Sequence, residues 1–264
     1  MIDDRLQAAL DMAREAGELA QRMRENPNEL NTTIKGPMDL VTAADHAVEA
    51  LLRERIQTFE PGVSILGEED GLDGTGKTVW IVDPIDGTVN FSRGMPDWAI
   101  SIAYFDGEAI THGVIHAPDL NITAWTKRGQ GSFLNGRQIV FGDTASQSPI
   151  VALGYSQRST LPGYFARIES LLCAGIEHRR HGAATICFLG VLAGWFDAFH
   201  EPALNIWDAA AGLLLVDEAG GTVQHDPFAD FLVGPSDVLA RNRGFPSLTT
   251  VLESAEFGGS AHRA

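Results

Sequence analysis

The residues of this chain best suited to chemistry are two aspartates at the end of an apolar segment. Asp83 follows the apolar run Val79–Val82, whose β-branched residues predict a buried strand. Pro84 lacks the N–H that a strand ladder needs, so we expect it to stop the ladder and to stiffen a turn. Asp86 lies three residues after Asp83. Such a turn can direct both carboxylates into one space.

Two further acidic residues stand beside other predicted elements. Glu68 follows the short apolar run Val63–Leu66, which predicts a second strand end. Asp208 lies at the start of Trp207–Ala219, whose apolar residues predict a helix. Each acidic group also has an ordinary structural interpretation, because Asp-Gly marks turns, acidic loops are solvated and an aspartate favours the first turn of a helix. The combination of several acidic groups at element ends is what indicates a site.

Together these four carboxylates would offer hard oxygen ligands, which suit Mg²⁺ or Mn²⁺ better than Zn²⁺. A phosphate monoester resists a nucleophile because its own oxygens are negatively charged. Two divalent cations about 3.5–4 Å apart can bridge the phosphate, lower the pKa of a water and stabilise the departing alkoxide. The pattern therefore predicts metal-assisted phosphate ester hydrolysis, in which the carboxylates hold the ions and do not attack phosphorus.

Charge and composition restrict the partners of such a site. The 264 residues carry a formal net charge of −16. An acidic surface repels a nucleic-acid backbone, so we expect no nucleic-acid partner, and a phosphate substrate would need cations to reverse the local charge. We read no signal peptide and no apolar run long enough for a membrane span, and expect a cytoplasmic protein with no membrane partner. Cys173 and Cys187 stand among apolar residues and are expected to be buried thiols.

Hydrophobic periodicity predicts two halves of different character. The half over 1–145 is predicted to have a helix over 3–24, a loop over 35–39, a helix from about residue 43 and then a run of strands. The half over 146–264 alternates strands and helices, which is typical of an α/β subdomain. The expected strands are Val63–Leu66, Val79–Val82, Ala99–Phe105, Ala109–His116, Ile122–Thr126, Val151–Tyr155, Ile176–Arg180 and Trp195–His200, with a hairpin over Phe133–Val140. The later helices are expected at 162–174, Ala183–Gly194 and Trp207–Ala219.

Six segments, in order along the chain, give it a resemblance to a known family. They are Asp39-Leu-Val-Thr42-Ala-Ala-Asp45, Gly67-Glu68-Glu69, Trp80-Ile-Val-Asp83-Pro-Ile-Asp86-Gly-Thr88-Val-Asn-Phe91, Gly129-Gln-Gly131-Ser-Phe133-Leu-Asn135-Gly136, Trp207-Asp208-Ala-Ala-Ala-Gly212 and Glu218-Ala-Gly220-Gly221. With these motifs the chain resembles the inositol monophosphatase family, within the fructose-1,6-bisphosphatase-like superfamily.

The resemblance implies an α/β fold, a layered αβαβα sandwich of the sugar-phosphatase type in which the two halves form one unit. It also implies a homodimer, inhibition by lithium, and two or three Mg²⁺ ions or Mn²⁺ in their place. By motif position, Glu68, Asp83 and the carbonyl of Ile85 would hold one ion. Asp83, Asp86 and Asp208 would hold the second, and a third, weaker ion would lie near Glu68. Most of these ligands belong to the N-terminal half, and Asp208 belongs to the C-terminal half.

The resemblance also implies three catalytic residues, which are Thr88, Asp45 and Glu68. Gly87 and Thr88 would contact the phosphate, and Thr88 paired with Asp45 would orient the attacking water. The segment Thr42-Ala-Ala-Asp45 equally fits a helix capping box, which is a purely structural role. The two roles of Asp45 do not exclude each other.

On the substrate side, the resemblance implies that Glu201 contacts substrate hydroxyls and that Ala184 lies close to the substrate. Asn205 departs from animal inositol monophosphatases, which have a histidine at that position. The substrate-binding set implied by the motifs is Glu68, Ile85, Asp86, Gly87, Thr88, Ala184, Glu201 and Asp208.

These residues lead us to expect an inositol-phosphate phosphatase, a phosphoric monoester hydrolase that converts myo-inositol 1-phosphate to inositol and phosphate. The alternative substrates on the same fold are fructose 1,6-bisphosphate, histidinol phosphate and 3′-phosphoadenosine 5′-phosphate. A second alternative is a regulatory or binding protein that keeps the fold without needing catalysis.

Overall fold

A computed structural model describes residues 2–26, 33–36 and 39–246 of the chain. The helices in these residues are α1 (Asp4–Arg24), α2 (Ala43–Phe59), α3 (Thr88–Ser92), α4 (Leu161–Cys173), α5 (Ala184–Ala193), α6 (Ile206–Glu218) and α7 (Phe228–Phe231). The strands are β1 (Thr33–Gly36), β2 (Asp39–Val41), β3 (Ser64–Gly67), β4 (Gly71–Asp73), β5 (Val79–Asp86), β6 (Ala99–Phe105), β7 (Ile110–Ala117), β8 (Ile122–Lys127), β9 (Ser132–Leu134), β10 (Arg137–Ile139), β11 (Ile150–Leu153), β12 (Glu177–Arg179), β13 (Ala198–Leu204), β14 (Thr222–Gln224) and β15 (Ser236–Arg241).

Two mixed sheets form the framework of the described residues. The larger sheet has eight strands in the order β10-β9-β8-β7-β6-β5-β3-β4, and only the β3–β5 pair in it is parallel. The smaller sheet has five strands in the order β12-β11-β13-β15-β14, with β11 parallel to both of its neighbours. Strands β1 and β2 form a separate antiparallel ribbon.

Alternating side chains of β5 show how helices cover both faces of the larger sheet. Trp80 packs with Leu52 of α2 in a core that also contains α1, because successive strand residues point to opposite faces. Ile81 packs on the other side, in a core that contains α5, α6 and Phe199 of the smaller sheet. The far face of the smaller sheet packs against Leu171 of α4. The layers therefore follow the order αβαβα, and the predicted fold is confirmed.

A bulge in β5 replaces the turn that the sequence predicts at Pro84. Asp83 pairs with Ser101 of β6 and Asp86 pairs with Ala99, so three steps along β5 oppose two steps along β6. The prediction that the ladder stops at Pro84 was wrong, because a bulge leaves one residue unpaired and so accommodates a residue without an N–H. The bulge keeps both aspartates on one rigid strand.

Several short or polar elements differ from the sequence prediction. Residues 35, 36 and 39 belong to the β1–β2 ribbon and not to a loop, whereas residues 37 and 38 of that predicted loop lie outside the described residues. Strands β4, β14 and β15 and helix α7 were not predicted. Strand β15 depends on pairing with β13 and β14 on its two sides, which are distant in sequence. Cys187 is buried as expected, but Cys173 is exposed at the end of α4.

The described residues include no helix with both the length and the apolar character that a membrane crossing requires.

We predict that Gly212→Ala destabilises the fold. Gly212 lies in α6, and a Cβ there would overlap the ring of Phe188 in α5, which is fully buried. Overpacking of this kind costs roughly 1–3 kcal/mol of the free energy of unfolding, which exceeds the gain in helix propensity. Thermal denaturation would show a melting temperature lower by several degrees. Gly142→Ala, which adds a Cβ in open space, is the control, and an unchanged melting temperature for Gly212→Ala would show that α5 and α6 are not closely packed here.

Candidate active site

Three aspartates from distant parts of the chain converge in the structure. Asp83 and Asp86 come from the bulge in β5, and Asp208 comes from the first turn of α6. Their carboxylate oxygens include a set that all lie within 4.8 Å of one another. Asp83 has no solvent exposure, and Asp86 is 9% exposed. This is the geometry of a shared cation site.

The carboxylate of Asp83 has one oxygen that lacks a hydrogen-bond donor. Its Oδ1 accepts a hydrogen bond of 3.0 Å from the backbone N–H of Ile85. Its Oδ2 is buried and, among the described residues, receives no hydrogen bond. A buried carboxylate oxygen without a donor is costly, and it is the arrangement expected where a cation supplies the missing positive charge.

The pKa values of the cluster reflect burial and mutual repulsion. Burial raises the pKa of Asp83 well above its usual value, and the charge of Glu68 raises it further, followed by the charges of the two neighbouring aspartates. Burial and then the charge of Asp208 raise the pKa of Asp86 to about 7. Burial also raises the pKa of Asp208. Without a cation, Asp86 would take up a proton near neutral pH.

Asp86 is oriented by the first residues of α5. Its Oδ2 accepts a 2.6 Å hydrogen bond from the backbone N–H of Thr185 and a short one from the Thr185 hydroxyl. The backbone N–H of Ala184 also lowers the pKa of this carboxyl, as a donor to an anion does. Ala184, predicted as a residue near the substrate, therefore also orients a carboxylate of the cluster. The contact of Thr185 was not predicted, because nothing near it in sequence indicates Asp86.

The loop that carries Glu68 is held from beneath by a buried glutamate. Glu49 of α2 has no solvent exposure, and its carboxylate accepts backbone hydrogen bonds from Glu69 at 2.8 Å and from Asp70 at 3.0 Å. Arg53, one turn later in α2, pairs with the same carboxylate at 2.8 Å. A Cβ at Gly67 would overlap Glu49, so only glycine fits above it. Glu49 thus fixes the position of Glu68, a role that the helix pattern alone did not reveal.

Thr88 and Asp45 meet beside the cluster. The Thr88 hydroxyl lies 3.0 Å from Asp45 Oδ1 and 3.1 Å from the carbonyl oxygen of Ile85. The other oxygen of Asp45 accepts hydrogen bonds from the backbone N–H and the hydroxyl of Thr42, at 2.8 and 2.6 Å. The capping box over Thr42–Asp45 is therefore present, and Asp45 uses its second oxygen to hold Thr88. Gly87, just before Thr88, adopts a φ of 92°, which favours glycine.

A cleft of about 300 Å³ opens beside Asp86 and Asp208. Glu201 lines it, 8% exposed and close against the backbone of Gly154. Burial raises the pKa of Glu201 to about 8, and the charges of Asp208 and Asp86 contribute. The other residues that line the cleft are Val89, Asn90, Tyr155, Arg158, Arg180, Gly182, Ala183, Ala184, Cys187 and Leu204.

The sequence-predicted site residues are thus brought close to one another. Glu68 is not part of the 4.8 Å set, but its charge acts on Asp83. An all-carboxylate ligand set with a donorless buried oxygen fits a hard divalent cation, since oxygen ligands are those that Mg²⁺ and Mn²⁺ prefer.

Comparison with known proteins identifies a matching family, similar sequences and similar solved structures. The model of the inositol monophosphatase family matches residues 1–254. The chain is 38% identical over 254 residues to an inositol-1-monophosphatase of Caulobacter vibrioides, an alignment that covers 92% of this chain and 95% of the relative. It is 36% identical over 243 residues to a protein of Escherichia coli named Nus factor SuhB, with 90% and 89% covered. A solved structure of an inositol monophosphatase from Thermotoga maritima superposes with a TM-score of 0.83 at 31% identity, over 97% of this chain and 99% of the other.

We predict that the cation-free protein loses stability as pH rises from about 5.5 to 8.5. The folded-state pKa values of about 7 for Asp86 and about 8 for Glu201 lie above those of carboxyls in an unfolded chain, near pH 4. The folded state therefore binds more protons in this window, and its stability decreases as these protons leave. Urea denaturation in EDTA at several pH values measures the effect.

The control for this prediction is the double variant Asp86→Asn with Glu201→Gln, whose stability in EDTA should change less with pH over the same window. A wild-type stability that stays level or increases towards high pH would contradict the assignment of raised pKa values to these two groups.

We predict that Glu49→Gln weakens binding of divalent cations by about 10- to 100-fold, the range for loss of a group that orients metal ligands. The amide can no longer pair with Arg53 while accepting both backbone N–H groups of the Glu68 loop. Calorimetric titration with Mn²⁺ measures the affinity. Glu54→Gln, an exposed position of the same helix, is the matched control. Equal affinities for the two variants would mean that Glu49 does not position the loop.

Proposed function

The chain belongs to the inositol monophosphatase family, and we propose that it is an Mg²⁺-dependent phosphatase that converts myo-inositol 1-phosphate to inositol and phosphate. The observation that carries the proposal is the cluster of two buried aspartates and the half-buried Asp208, whose carboxylates repel one another, with a donorless oxygen on Asp83. Such a set is unfavourable without cations and suits the chemistry of an anionic substrate when cations are bound.

In this proposal the chain holds its cations with side chains and one carbonyl. Asp83, Asp86 and Asp208 would provide the central ligands, with Glu68 and the carbonyl of Ile85 beside them. Two Mg²⁺ ions, with a third more weakly bound or with Mn²⁺ instead, would supply Lewis-acid stabilisation of charge at the phosphoryl group. The proximity of Glu68 to Asp83, which the pKa of Asp83 reflects, supports this ligand set.

Thr88 is proposed to orient the attacking water, with Asp45 behind it. The hydroxyl has one proton, which it donates to Asp45 Oδ1 or to the carbonyl of Ile85. In either case the Thr88 oxygen keeps lone pairs that can accept a hydrogen bond from water. Asp45 is fully buried and tied to α2, so the Thr88 hydroxyl has a fixed partner. The backbone N–H groups of Gly87 and Thr88 are proposed to contact the phosphate.

The cleft beside the metal site is proposed to receive the alcohol part of the substrate. Glu201 lines it, and burial raises its pKa. Its carboxyl can accept hydrogen bonds from substrate hydroxyls and, when protonated, can donate one. Ala184 presents a small side chain to the same space. Asn205, at the start of α6, stands where animal relatives have histidine, so the sequence leaves fructose 1,6-bisphosphate, histidinol phosphate and 3′-phosphoadenosine 5′-phosphate as alternative substrates.

We also propose that the protein is a cytoplasmic homodimer and is inhibited by lithium, as its family resemblance implies. Light scattering coupled to size-exclusion chromatography tests the assembly, which should give twice the 28.4 kDa of one chain.

A second candidate function is binding to a protein partner, because a relative with 36% identity is named a Nus factor. A partner role that is independent of hydrolysis should survive the change Asp83→Asn, whereas hydrolysis should not.

We predict that Asp83→Asn lowers the rate of phosphate release by several orders of magnitude. Loss of a metal ligand would remove several kcal/mol of transition-state stabilisation, and each 1.4 kcal/mol corresponds to about tenfold in rate. The measurement is kcat with myo-inositol 1-phosphate and Mg²⁺. Asp73→Asn makes the same change at an exposed position of β4 and should keep wild-type activity. Near-normal turnover by Asp83→Asn would exclude its role as a metal ligand.

We predict that a panel of phosphate esters assayed with Mg²⁺ releases phosphate fastest from a small polyol or sugar phosphate, with inhibition by Li⁺. The panel comprises myo-inositol 1-phosphate and the three alternative substrates named above. Fast turnover of an alternative together with no turnover of myo-inositol 1-phosphate would overturn the proposed substrate, and no phosphate release from any ester would overturn the proposed activity.

A further inference from the structure

Helix α6, which carries Asp208, lies close against the larger sheet along one side. Trp207, Ala211 and Leu215 follow one another at intervals of four residues, so they share this side of the helix. A Cβ at Gly113 of β7 would lie only 3.1 Å from the backbone of Ala211. The helix and the sheet are therefore in close contact at the middle of this side.

Two serine hydroxyls of the sheet bind the same side of α6, one before this contact and one after it. Ser101 Oγ of β6 donates to the carbonyl of Trp207 at 3.1 Å, and Ser132 Oγ of β9 donates to the carbonyl of Leu215. Both serines are buried. An α-helical carbonyl already accepts a hydrogen bond from the N–H four residues further on, so the helix does not need either serine to satisfy its backbone. The two hydroxyls therefore act as tethers between the sheet and the helix.

The Ser101 tether differs from the Ser132 tether in what it connects. Ser101 pairs directly with Asp83, and opposed residues of an antiparallel pair present their side chains on the same face. Its acceptor, Trp207, immediately precedes Asp208. The hydrogen bond thus connects the strand pair that holds Asp83 with the helix turn that holds Asp208, and the ligand atoms of these two aspartates lie within 4.8 Å of each other. The Ser132 tether lies about two turns further along the helix.

We propose that Ser101 is a positioning residue, which sets the separation of the Asp83 and Asp208 carboxylates and so makes the site selective for a small divalent cation. The inference rests on the proposed function, because it takes a divalent cation to bind between these carboxylates. Without the tether, the first turn of α6 loses its hydrogen bond to β6. Asp208 then gains freedom to move away from Asp83, which repels it.

Cation size gives the reason for this selectivity. Mg²⁺ requires a near-octahedral set of oxygen ligands at about 2.0–2.1 Å, whereas Ca²⁺ accepts a more flexible set at about 2.3–2.6 Å. Loosening a closely held pair of carboxylates therefore weakens Mg²⁺ binding more than Ca²⁺ binding. A change that only lowered the stability of the fold would weaken the binding of both ions alike. The ratio of the two affinities is thus the measurement that separates positioning from general stability.

The binding experiment compares Ser101→Ala with Ser132→Ala, which removes the other buried tether of the same helix. We expect Ser101→Ala to weaken Mg²⁺ binding by about tenfold, the lower end of the range for groups that orient metal ligands. Ca²⁺ binding should weaken by no more than about threefold, since Ca²⁺ tolerates longer and less regular contacts. Ser132→Ala should keep the wild-type ratio of the two affinities. Calorimetric titration of the metal-stripped wild type and variants with each cation measures these affinities.

The outcomes distinguish failure of this inference from failure of the proposed function. An affinity ratio that Ser101→Ala leaves unchanged, or that Ser132→Ala changes equally, overturns the inference, whether or not the wild type hydrolyses phosphate esters. If no ester is hydrolysed with Mg²⁺ but the ratio depends on Ser101, the proposed activity fails and the inference stands. A wild type that binds neither cation contradicts the proposed cation site, and the inference fails with it.

A second variant covers the case in which Ser101→Ala does not fold, which thermal denaturation would show. Ser101→Cys keeps the shape of the side chain and replaces the hydroxyl with a weaker S–H donor. Its Mg²⁺-to-Ca²⁺ affinity ratio should be lower than that of the wild type and higher than that of a folded Ser101→Ala. If only the cysteine variant folds, a ratio below that of the wild type supports the inference, and a ratio equal to that of the wild type overturns it.

Discussion

The mutual repulsion of buried carboxylates is the constraint on which the rest of this structure depends. Asp83 is fully buried, and its ligand atoms lie within 4.8 Å of those of Asp86 and Asp208. Such a group is unfavourable in a folded protein unless protons or cations offset its charge. In the proposed function, the same arrangement would bind the cations that neutralise an anionic substrate. The electrostatic cost of the cluster and its proposed role in catalysis therefore both arise from the closeness of these carboxylates.

Rigid elements hold the repelling groups together. The bulge in β5 presents Asp83 and Asp86 from a single buried strand, and the start of α5 fixes Asp86 through Thr185. The first turn of α6 carries Asp208, whose Oδ2 lies 3.3 Å from the backbone N–H of Asn205. Glu49 of α2 holds the loop that carries Glu68. Backbone contacts of the protein itself thus position these carboxylates.

Sequence reasoning could predict those parts of the site that depend on local pattern. Asp83 and Asp208 stand directly beside apolar segments, and the capping box over Thr42–Asp45 is a short-range motif, so their elements were predictable. The bulge at Pro84 could not be predicted, because a proline indicates only that a backbone hydrogen bond is missing and not how the strand continues. The hydrogen bonds of Glu49 and Thr185 join segments distant in sequence. Contacts of this kind leave no periodic signal in a single sequence.

The most direct test of the central claim is a comparison of unfolding free energies for the wild type and Asp83→Asn, in EDTA and in Mg²⁺. If the cluster is held against its own repulsion, the variant is the more stable protein in EDTA, because it lacks a buried carboxyl that must either keep its charge or take up a proton. The wild type then gains stability on addition of Mg²⁺, and the variant gains much less. A variant that is less stable than the wild type in EDTA, together with a wild type that Mg²⁺ does not stabilise, would contradict the account.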